Sequence, residues 1–169
     1  KWLGEQRAAA SGVICAAAAL SAPVDLMAAG NTLDAGFNLI YTRNFLATMK
    51  RKTLAKLERY PGLCDRETML AARTLREFDN AVTAPLHGYR DTDDYWTRAS
   101  SKPLLRVIIV PTLMINAHND PFLPARALPN AEQVSDAVSL DFPSAGGHVG
   151  FMRGAFPGRL DASLPAGLD

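Results

Sequence analysis

The sequence predicts an α/β protein with about three parallel strands and a helical region inserted between the first strand and the second. Two observations lead to this class. Short apolar runs at 13–21, 111–117 and 137–142 have the length and residue types of buried strands. The stretch 25–100 has helical character, and a gap of helix length follows the second run. This order is typical of a parallel sheet, because helical connections return the chain to the same edge.

The composition is that of an ordinary globular protein. Of 169 residues, 48% are hydrophobic and 21% charged, which excludes disorder, and 12 Gly with 2 Cys exclude collagen-like and disulfide-scaffold classes. The formal charge of +1 provides no field that attracts a polyanion, so we expect no nucleic acid as a partner. The stretch 8–20 is too short and too rich in alanine to span a membrane. Cys15 and Cys64 lie outside zinc-ligand spacing and are expected to be reduced thiols in a cytoplasmic protein.

The pattern divides the chain into four segments. Residues 1–25 form a first core segment, in which a helix end precedes a strand at 13–21 that we expect to be buried on both faces. Residues 26–102 form a helical cap or lid, and residues 103–159 form a second core segment. Residues 160–169 form an atypical tail, in which proline and glycine interrupt the leucine spacing.

Four helices are predicted in the inserted region, at 25–34, 38–60, 66–78 and 91–100. In the second helix an apolar stripe follows one face, formed by Leu39, Leu46, Met49, Thr53, Leu57 and Tyr60. Its other faces carry six basic side chains, Arg43, Lys50, Arg51, Lys52, Lys56 and Arg59. The simplest interpretation is a solvated outer face of the cap. The alternative is peripheral contact with an anionic lipid surface.

Two catalytic residue types follow predicted strands. Asp120 comes after the second strand, and His148 comes after the third, inside a Gly-Gly-His-Val-Gly turn that lets the backbone bend tightly. Open α/β sheets bind their ligands at this edge. A carboxylate that accepts a histidine ring N–H holds the tautomer that can deprotonate a serine hydroxyl. The chain order, acid and then histidine, is that of an α/β hydrolase.

Six motifs carry a more specific resemblance. They are Lys1–Glu5, Ser21–Leu26, Glu77–Asp79, Thr83–Tyr89, Asn119–Phe122 and Gly146–Phe151. With these motifs in this order, the chain resembles the YheT-like branch of the α/β-hydrolase superfamily from Lys1 to about Arg159. The resemblance implies the C-terminal half of that fold, with the helices at 38–100 as its cap.

The resemblance also implies a function. Asp120 would be the triad acid and His148 the triad base of a serine esterase or lipase-like hydrolase that acts on small-molecule or lipid carboxylic esters. Walker and dinucleotide glycine patterns are absent, and the three histidines have no metal-ligand spacing, so we expect neither a cofactor nor a metal.

The nucleophile of the family is not found in the sequence. No Gly-x-Ser-x-Gly occurs in the 169 residues, although family members place it directly before the segment that begins here at Lys1. We therefore expect that an upstream segment has been lost and that the chain is inactive alone. The alternative is a non-catalytic, truncated hydrolase-like protein that pairs with a missing N-terminal half, with itself or with a lipid surface.

Other residues compete for the catalytic roles. Ser21 and Ser144 lack the strand-to-helix elbow that activates a nucleophile, so both are interpreted as structural. His87 is interpreted as a contact between cap and core. His118 and Asn119 flank Asp120 and leave open which of the three neighbours serves the histidine.

Overall fold

The fold is built on a three-stranded parallel sheet in the computed structural model, which describes residues 1–151. Its strands are β1 (Ala17–Leu20), β2 (Thr112–Ile115) and β3 (Val138–Asp141), in the order β1-β2-β3. Thr112 pairs with Ala17 on one side and with Val138 on the other. This topology confirms the α/β class with three parallel strands. The tail predicted at 160–169 lies outside the described residues.

Helices fill the long connection between β1 and β2. The α-helices of the described residues are α1 (Trp2–Gln6), α2 (Leu26–Leu33), α3 (Leu39–Arg59), α4 (Arg66–Ala71), α5 (Leu75–Phe78), α6 (Ala84–Leu86) and α7 (Thr92–Ala99). Short 3-10 helices lie at Arg7–Gly12, Gly36–Asn38, Lys102–Val107, Ala125–Ala127 and Ala131–Gln133, and a π-helical turn covers Asp79–Thr83.

Side-chain caps determine where several helices begin. Asp25 accepts a hydrogen bond from the Ala28 backbone N–H at the start of α2, and Asp91 does the same at the start of α7. The predicted single helix at 66–78 is wrong. The backbone of Ala72 is extended, and Thr74 caps a new helix, so α4 and α5 are separate.

The expectation that the strand at 13–21 is buried on both faces is wrong. The strand is shorter, and the exposed fractions of Val13 and Leu20 are 75% and 60%. In the described sheet β1 is an edge strand with one neighbour, so alternate side chains along it remain exposed.

The buried apolar side chains form two clusters. The first joins sheet residues such as Met114 and Val138 to Leu105, Leu123 and Ala29, which lies in α2. The second lies within the helical region and consists of Leu46, Met69, Ala72, Phe78 and Val82.

The predicted apolar stripe of α3 is buried only in the middle of the helix. Leu46 and Thr53 are buried, whereas Tyr60 is exposed at the end of the helix. Five of its six basic side chains are exposed, and the sixth is not part of a solvated face. The Lys50 ammonium donates to the Leu70 and Ala72 carbonyls at the end of α4, so this side chain caps a neighbouring helix.

Candidate active site

The ends of the three strands bring three polar side chains to one edge of the sheet. Ser21 follows β1, the Asp120 loop follows β2, and the His148 turn follows β3. Because the strands are parallel, these loops leave the sheet on the same side. Ser21 and Asp120 are buried, and His148 is half-buried.

Asp120 and His148 form a direct contact. The His148 Nδ1 lies 3.0 Å from Asp120 Oδ2, and the Asp120 side chain is fully buried. The other carboxylate oxygen, Oδ1, accepts the Phe122 backbone N–H at 2.8 Å. The pair therefore favours the tautomer in which Nδ1–H donates to Asp120, which leaves Nε2 as the acceptor. A histidine in this state is suited to general-base chemistry.

The turn before His148 is secured by Asn119. The Asn119 Oδ1 accepts the backbone N–H groups of Gly146 and Gly147, at 3.0 and 2.9 Å. Gly147 has φ +56°, a conformation that glycine adopts without steric cost. Asn119 therefore connects the loop of the acid to the loop of the histidine. It is not the residue that contacts the imidazole.

Ser21 secures the same turn from the other side. Its hydroxyl donates to the backbone carbonyl of His148, and its own N–H donates to Ile115 O at 2.7 Å. Ser21 has φ +49°, which a non-glycine residue adopts rarely and at some cost in energy. The position of this hydroxyl agrees with the interpretation of Ser21 as structural.

The histidine–aspartate pair lines a cavity of about 320 Å³ between the sheet edge and the helical region. The cavity wall is mainly apolar, and Phe122 packs against the His148 ring with the centroids 4.5 Å apart. The lining side chains contributed by the helical region are Leu26, Ala29, Gly30, Leu33, Phe45, Leu75, Asp79, Tyr95 and Trp96. An apolar cavity beside a polar pair is the usual form of a small-molecule site.

A second cavity, of about 490 Å³, is larger but lies elsewhere. Lys102, Arg106 and Gln133 are among its lining residues, and it shares none of them with the cavity at His148. We place the candidate site in the smaller cavity because that cavity contains the paired histidine and carboxylate.

Two polar side chains of the helical region, Asp79 and Tyr95, face the same cavity and were not predicted as site residues. Burial raises the pKa of Asp79, and hydrogen bonds from Thr83 and Trp96 act in the opposite direction. Burial and the Asp79 carboxylate raise the pKa of Tyr95. The motif Glu77–Asp79 was the available sequence signal, but nothing in it indicated a cavity.

The competing residues lie away from the pair. His87 is exposed at the end of α6, so its interpretation as a contact between cap and core is wrong. Ser144 and His118 are exposed, and neither lines the cavity. Cys15 and Cys64 are free thiols.

Within residues 1–151 the structure brings no three His, Cys, Asp or Glu side chains together in a way that could hold a metal ion. In the same range, no helix has both the length and the hydrophobicity needed to cross a bilayer.

The parallel sheet, the acid and histidine at its edge and the sequences of relatives agree on the class. The chain belongs to the α/β-hydrolase superfamily. It is 38% identical over 141 residues to the putative esterase YheT of Escherichia coli, a match that covers 82% of this chain and 42% of YheT. The predicted resemblance is therefore confirmed.

Other relatives have names that indicate lipid substrates. The chain is 32% identical over 146 residues to the mouse phospholipase ABHD3, covering 85% of this chain and 36% of ABHD3. It is 33% identical over 111 residues to the monoacylglycerol lipase of Saccharomyces cerevisiae, covering 64% of this chain and 24% of the lipase. The chain spans less than half the length of these relatives. No family model matches it, and no solved structure matches it.

Proposed function

We propose that this chain contributes the acid and the base of a serine-type carboxylic-ester hydrolase. The observation that carries the proposal is the contact of 3.0 Å between His148 Nδ1 and a buried Asp120 carboxylate at the mouth of an apolar cavity. In this role His148 takes the proton of a serine hydroxyl as the serine attacks the acyl carbonyl. Asp120 keeps the imidazole oriented and stabilises the imidazolium that forms.

The same histidine serves both halves of the reaction. His148 gives its proton to the departing alcohol, and an acyl-enzyme remains. Water then attacks the acyl group while His148 takes a proton from the water. His148 returns this proton to the serine oxygen as the acyl–oxygen bond breaks, and the carboxylic acid is released. The serine and the oxyanion donors lie outside the 169 residues in this proposal, because no Gly-x-Ser-x-Gly occurs within them.

The proposed substrate is a lipid ester. The cavity wall is mainly apolar, and relatives of this chain are named phospholipase and monoacylglycerol lipase. Residues 26–102 form the cap over the site in this proposal, since most of the cavity wall opposite His148 comes from α2, α3 and α7. A cytoplasmic location suits the two free thiols, and cell fractionation tests it.

Labelling with a fluorophosphonate, followed by peptide mapping, tests the assignment. The 169-residue chain should remain unlabelled, and a chain extended upstream through a Gly-x-Ser-x-Gly segment should be labelled at that serine. Substituting His148 with Ala in the longer chain should abolish labelling. A stoichiometric label on a serine within the 169 residues, Ser21 and Ser144 included, would overturn the proposal.

A second proposal is that the beginning of α3 contacts lipid surfaces. Phe37, in the 3-10 turn before α3, is 92% exposed, and Ile40, Tyr41 and Phe45 are also exposed. Tyr41 and Phe45 pack on the Phe122 ring, which in turn packs on His148. Exposed basic side chains, Arg43 among them, lie on the same helix. A helix that combines exposed apolar and basic side chains is typical of interfacial helices.

Co-sedimentation with liposomes that contain anionic lipid tests this contact. Replacing Phe37 and Ile40 with Ser, or neutralising the five exposed basic residues of α3, should each lower the bound fraction. Lys50 stays unchanged because it caps α4. Binding that both variants leave unaltered would contradict the proposal.

The alternative function is a non-catalytic protein that pairs with another chain. Its specific support is β1, an edge strand in the described sheet whose last residue, Leu20, is exposed. Size-exclusion chromatography distinguishes a chain that pairs through β1 from one that does not. A dispersed monomer argues against pairing through β1, and a dimer that Leu20→Lys dissociates supports it.

A further inference from the structure

Asp79 is a buried carboxylate with no cationic partner. Its residue is 8% exposed, and none of the ion pairs of the described residues includes it. Arg76, three residues earlier in the chain, lies over the Trp96 ring at 4.7 Å and pairs with Asp93. Burial of a charged group without a cation is costly, and this cost points to a role beyond stability.

The position of Asp79 is locally unusual as well. It begins the π-helical turn Asp79–Thr83, and such turns occur frequently at functional sites. Its Oδ2 accepts the Trp96 indole N–H at 2.8 Å. This donor is neutral, so the carboxylate keeps capacity to accept another hydrogen bond.

Tyr95 lines the same cavity as this carboxylate. Its phenol has no hydrogen-bond partner among the described residues, although the residue is half-buried. The raised pKa of Tyr95 keeps the phenol protonated and able to donate. Asp79 and Tyr95 are thus an acceptor and a donor in a wall that is otherwise mainly apolar.

We propose that Asp79 and Tyr95 form a polar subsite for a free hydroxyl group of the substrate. The ester that the site takes would then carry a hydroxyl as well as an apolar chain. This inference rests on the proposed ester hydrolysis and adds the substrate class to it. A hydroxyl fits the pair because it can donate to the carboxylate and accept from the phenol at once.

An ammonium group is the other donor that a carboxylate could bind. The arrangement favours the hydroxyl because Arg76 already covers a face of Trp96, so this ring is not free to bind a second cation. An ammonium also has no lone pair to accept the Tyr95 O–H, and the phenol would stay unpaired.

Binding of matched probes to the 169-residue chain tests the subsite. The probes are 1-O-decylglycerol, which has hydroxyls but no ester, decyl methyl ether, which has none, and decyltrimethylammonium, all below their aggregation concentrations. Trp96 lines the cavity and reports binding by its fluorescence once Trp2, the other tryptophan, is replaced with Phe. We expect the glycerol ether to bind roughly tenfold or more tightly than the methyl ether.

Variants assign the preference to the two residues. Tyr95→Phe removes only the phenol oxygen and should lower the preference for the glycerol ether about tenfold, with the methyl ether unaffected. Asp79→Asn keeps an acceptor for Trp96. It should also lower the preference for the glycerol ether, because a charged acceptor binds a hydroxyl more strongly than a neutral one. Tyr89→Phe is the matched control, since Tyr89 packs on Tyr95 but does not line the cavity.

Hydrolysis by a chain extended upstream gives a second measurement. The ratio of kcat/KM for 1-decanoylglycerol to that for methyl decanoate should fall about tenfold in Tyr95→Phe and stay constant in Tyr89→Phe. Equal binding of the two ethers, tighter binding of the ammonium probe, or a ratio that Tyr95→Phe leaves unchanged would overturn the subsite. If no ester is hydrolysed but the binding preference depends on Tyr95, the subsite stands and the proposed function fails.

Discussion

The sheet edge that carries His148 and the helical wall that faces it use polar side chains differently. At the edge, polar groups are paired closely: Asp120 uses one oxygen for the Phe122 N–H and the other for His148. In the wall, Asp79 is buried with neutral partners only. The same type of residue thus pairs with a histidine on one side of the cavity and has no ion-pair partner among the described residues on the other.

This difference distinguishes His148, which its neighbours hold in place, from Asp79, which can still accept a hydrogen bond. Asn119 Oδ1 accepts two backbone N–H groups of the His148 turn, and the Ser21 hydroxyl donates to its backbone carbonyl. These hydrogen bonds limit the movement of the turn, as the role proposed for His148 requires. A carboxylate with spare capacity to accept, in an apolar wall, gains when a substrate supplies a further hydrogen bond. The four predictions below test the two sides in order of expected effect.

The largest effect concerns the pair itself. In a chain extended upstream through the nucleophile, Asp120→Asn and His148→Ala should each lower kcat by about 10⁴-fold, because the base loses its orientation or is removed. Ester hydrolysis assays measure this loss, with circular dichroism to verify the fold. Near-normal turnover in either variant would refute the assigned roles.

The second prediction concerns the packing of the wall. A Cβ added at Gly30 would lie 2.6 Å from Trp96 Cζ2, so Gly30→Ala should separate α2 from α7. We expect it to lower the free energy of unfolding by about 1–3 kcal/mol, as overpacking does. Gly12→Ala is the control, since a Cβ there would meet nothing within 4 Å. Urea unfolding compares the two, and equal stabilities would contradict the expected overpacking.

The third prediction concerns the support of the histidine. Asn119→Leu removes the acceptor for Gly146 and Gly147, and kcat of the longer chain should fall about tenfold or more with little change in KM. Asn119→Asp keeps an acceptor oxygen and should restore most of the rate. The low-field proton signal of the His148–Asp120 hydrogen bond, measured by NMR, should weaken in Asn119→Leu alone. Equal signals in both variants would make Asn119 unimportant for positioning.

The smallest effect concerns the pH dependence of stability. Because folding raises the pKa of Asp79, its protonated form is favoured in the folded state, and the stability this contributes is present below the ordinary pKa near 4. That contribution is lost as the pH rises through the folded pKa. The groups around the carboxylate are Asp34, Tyr95, Trp96 and Thr83. Asp79→Asn should therefore gain stability relative to the parent as the pH rises above about 4.

Unfolding by urea between pH 4 and pH 8 measures this difference. Asp65 provides the opposite case, because hydrogen bonds with Thr68 lower its pKa, and its contribution is lost as the pH falls. Asp65→Asn should therefore be less stable than the parent at neutral pH, and this difference in stability should shrink as the pH falls. Parallel stability curves for the parent and Asp79→Asn would contradict the prediction.

Much of the fold was predictable because local signals and long-range packing agree. The run that becomes β2 is mainly apolar, and the run that becomes β3 alternates apolar with polar residues; both form strands within the predicted ranges. The predicted burial of the first run was wrong at Val13, since burial of a strand depends on neighbours that the run itself does not specify. The break between α4 and α5 was missed because no glycine or proline marks it; the Thr74 cap decided it.

The candidate site shows the same division. The sequence alone determined the class, three parallel strands, the residue types at their ends and the order of acid and histidine, because these follow from local pattern and motif. Only the tertiary structure decided that Asp120, and not Asn119, contacts His148, and that Asp79 and Tyr95 face the same cavity. Residues distant in sequence meet only when the chain has packed, and no local pattern contains that distance.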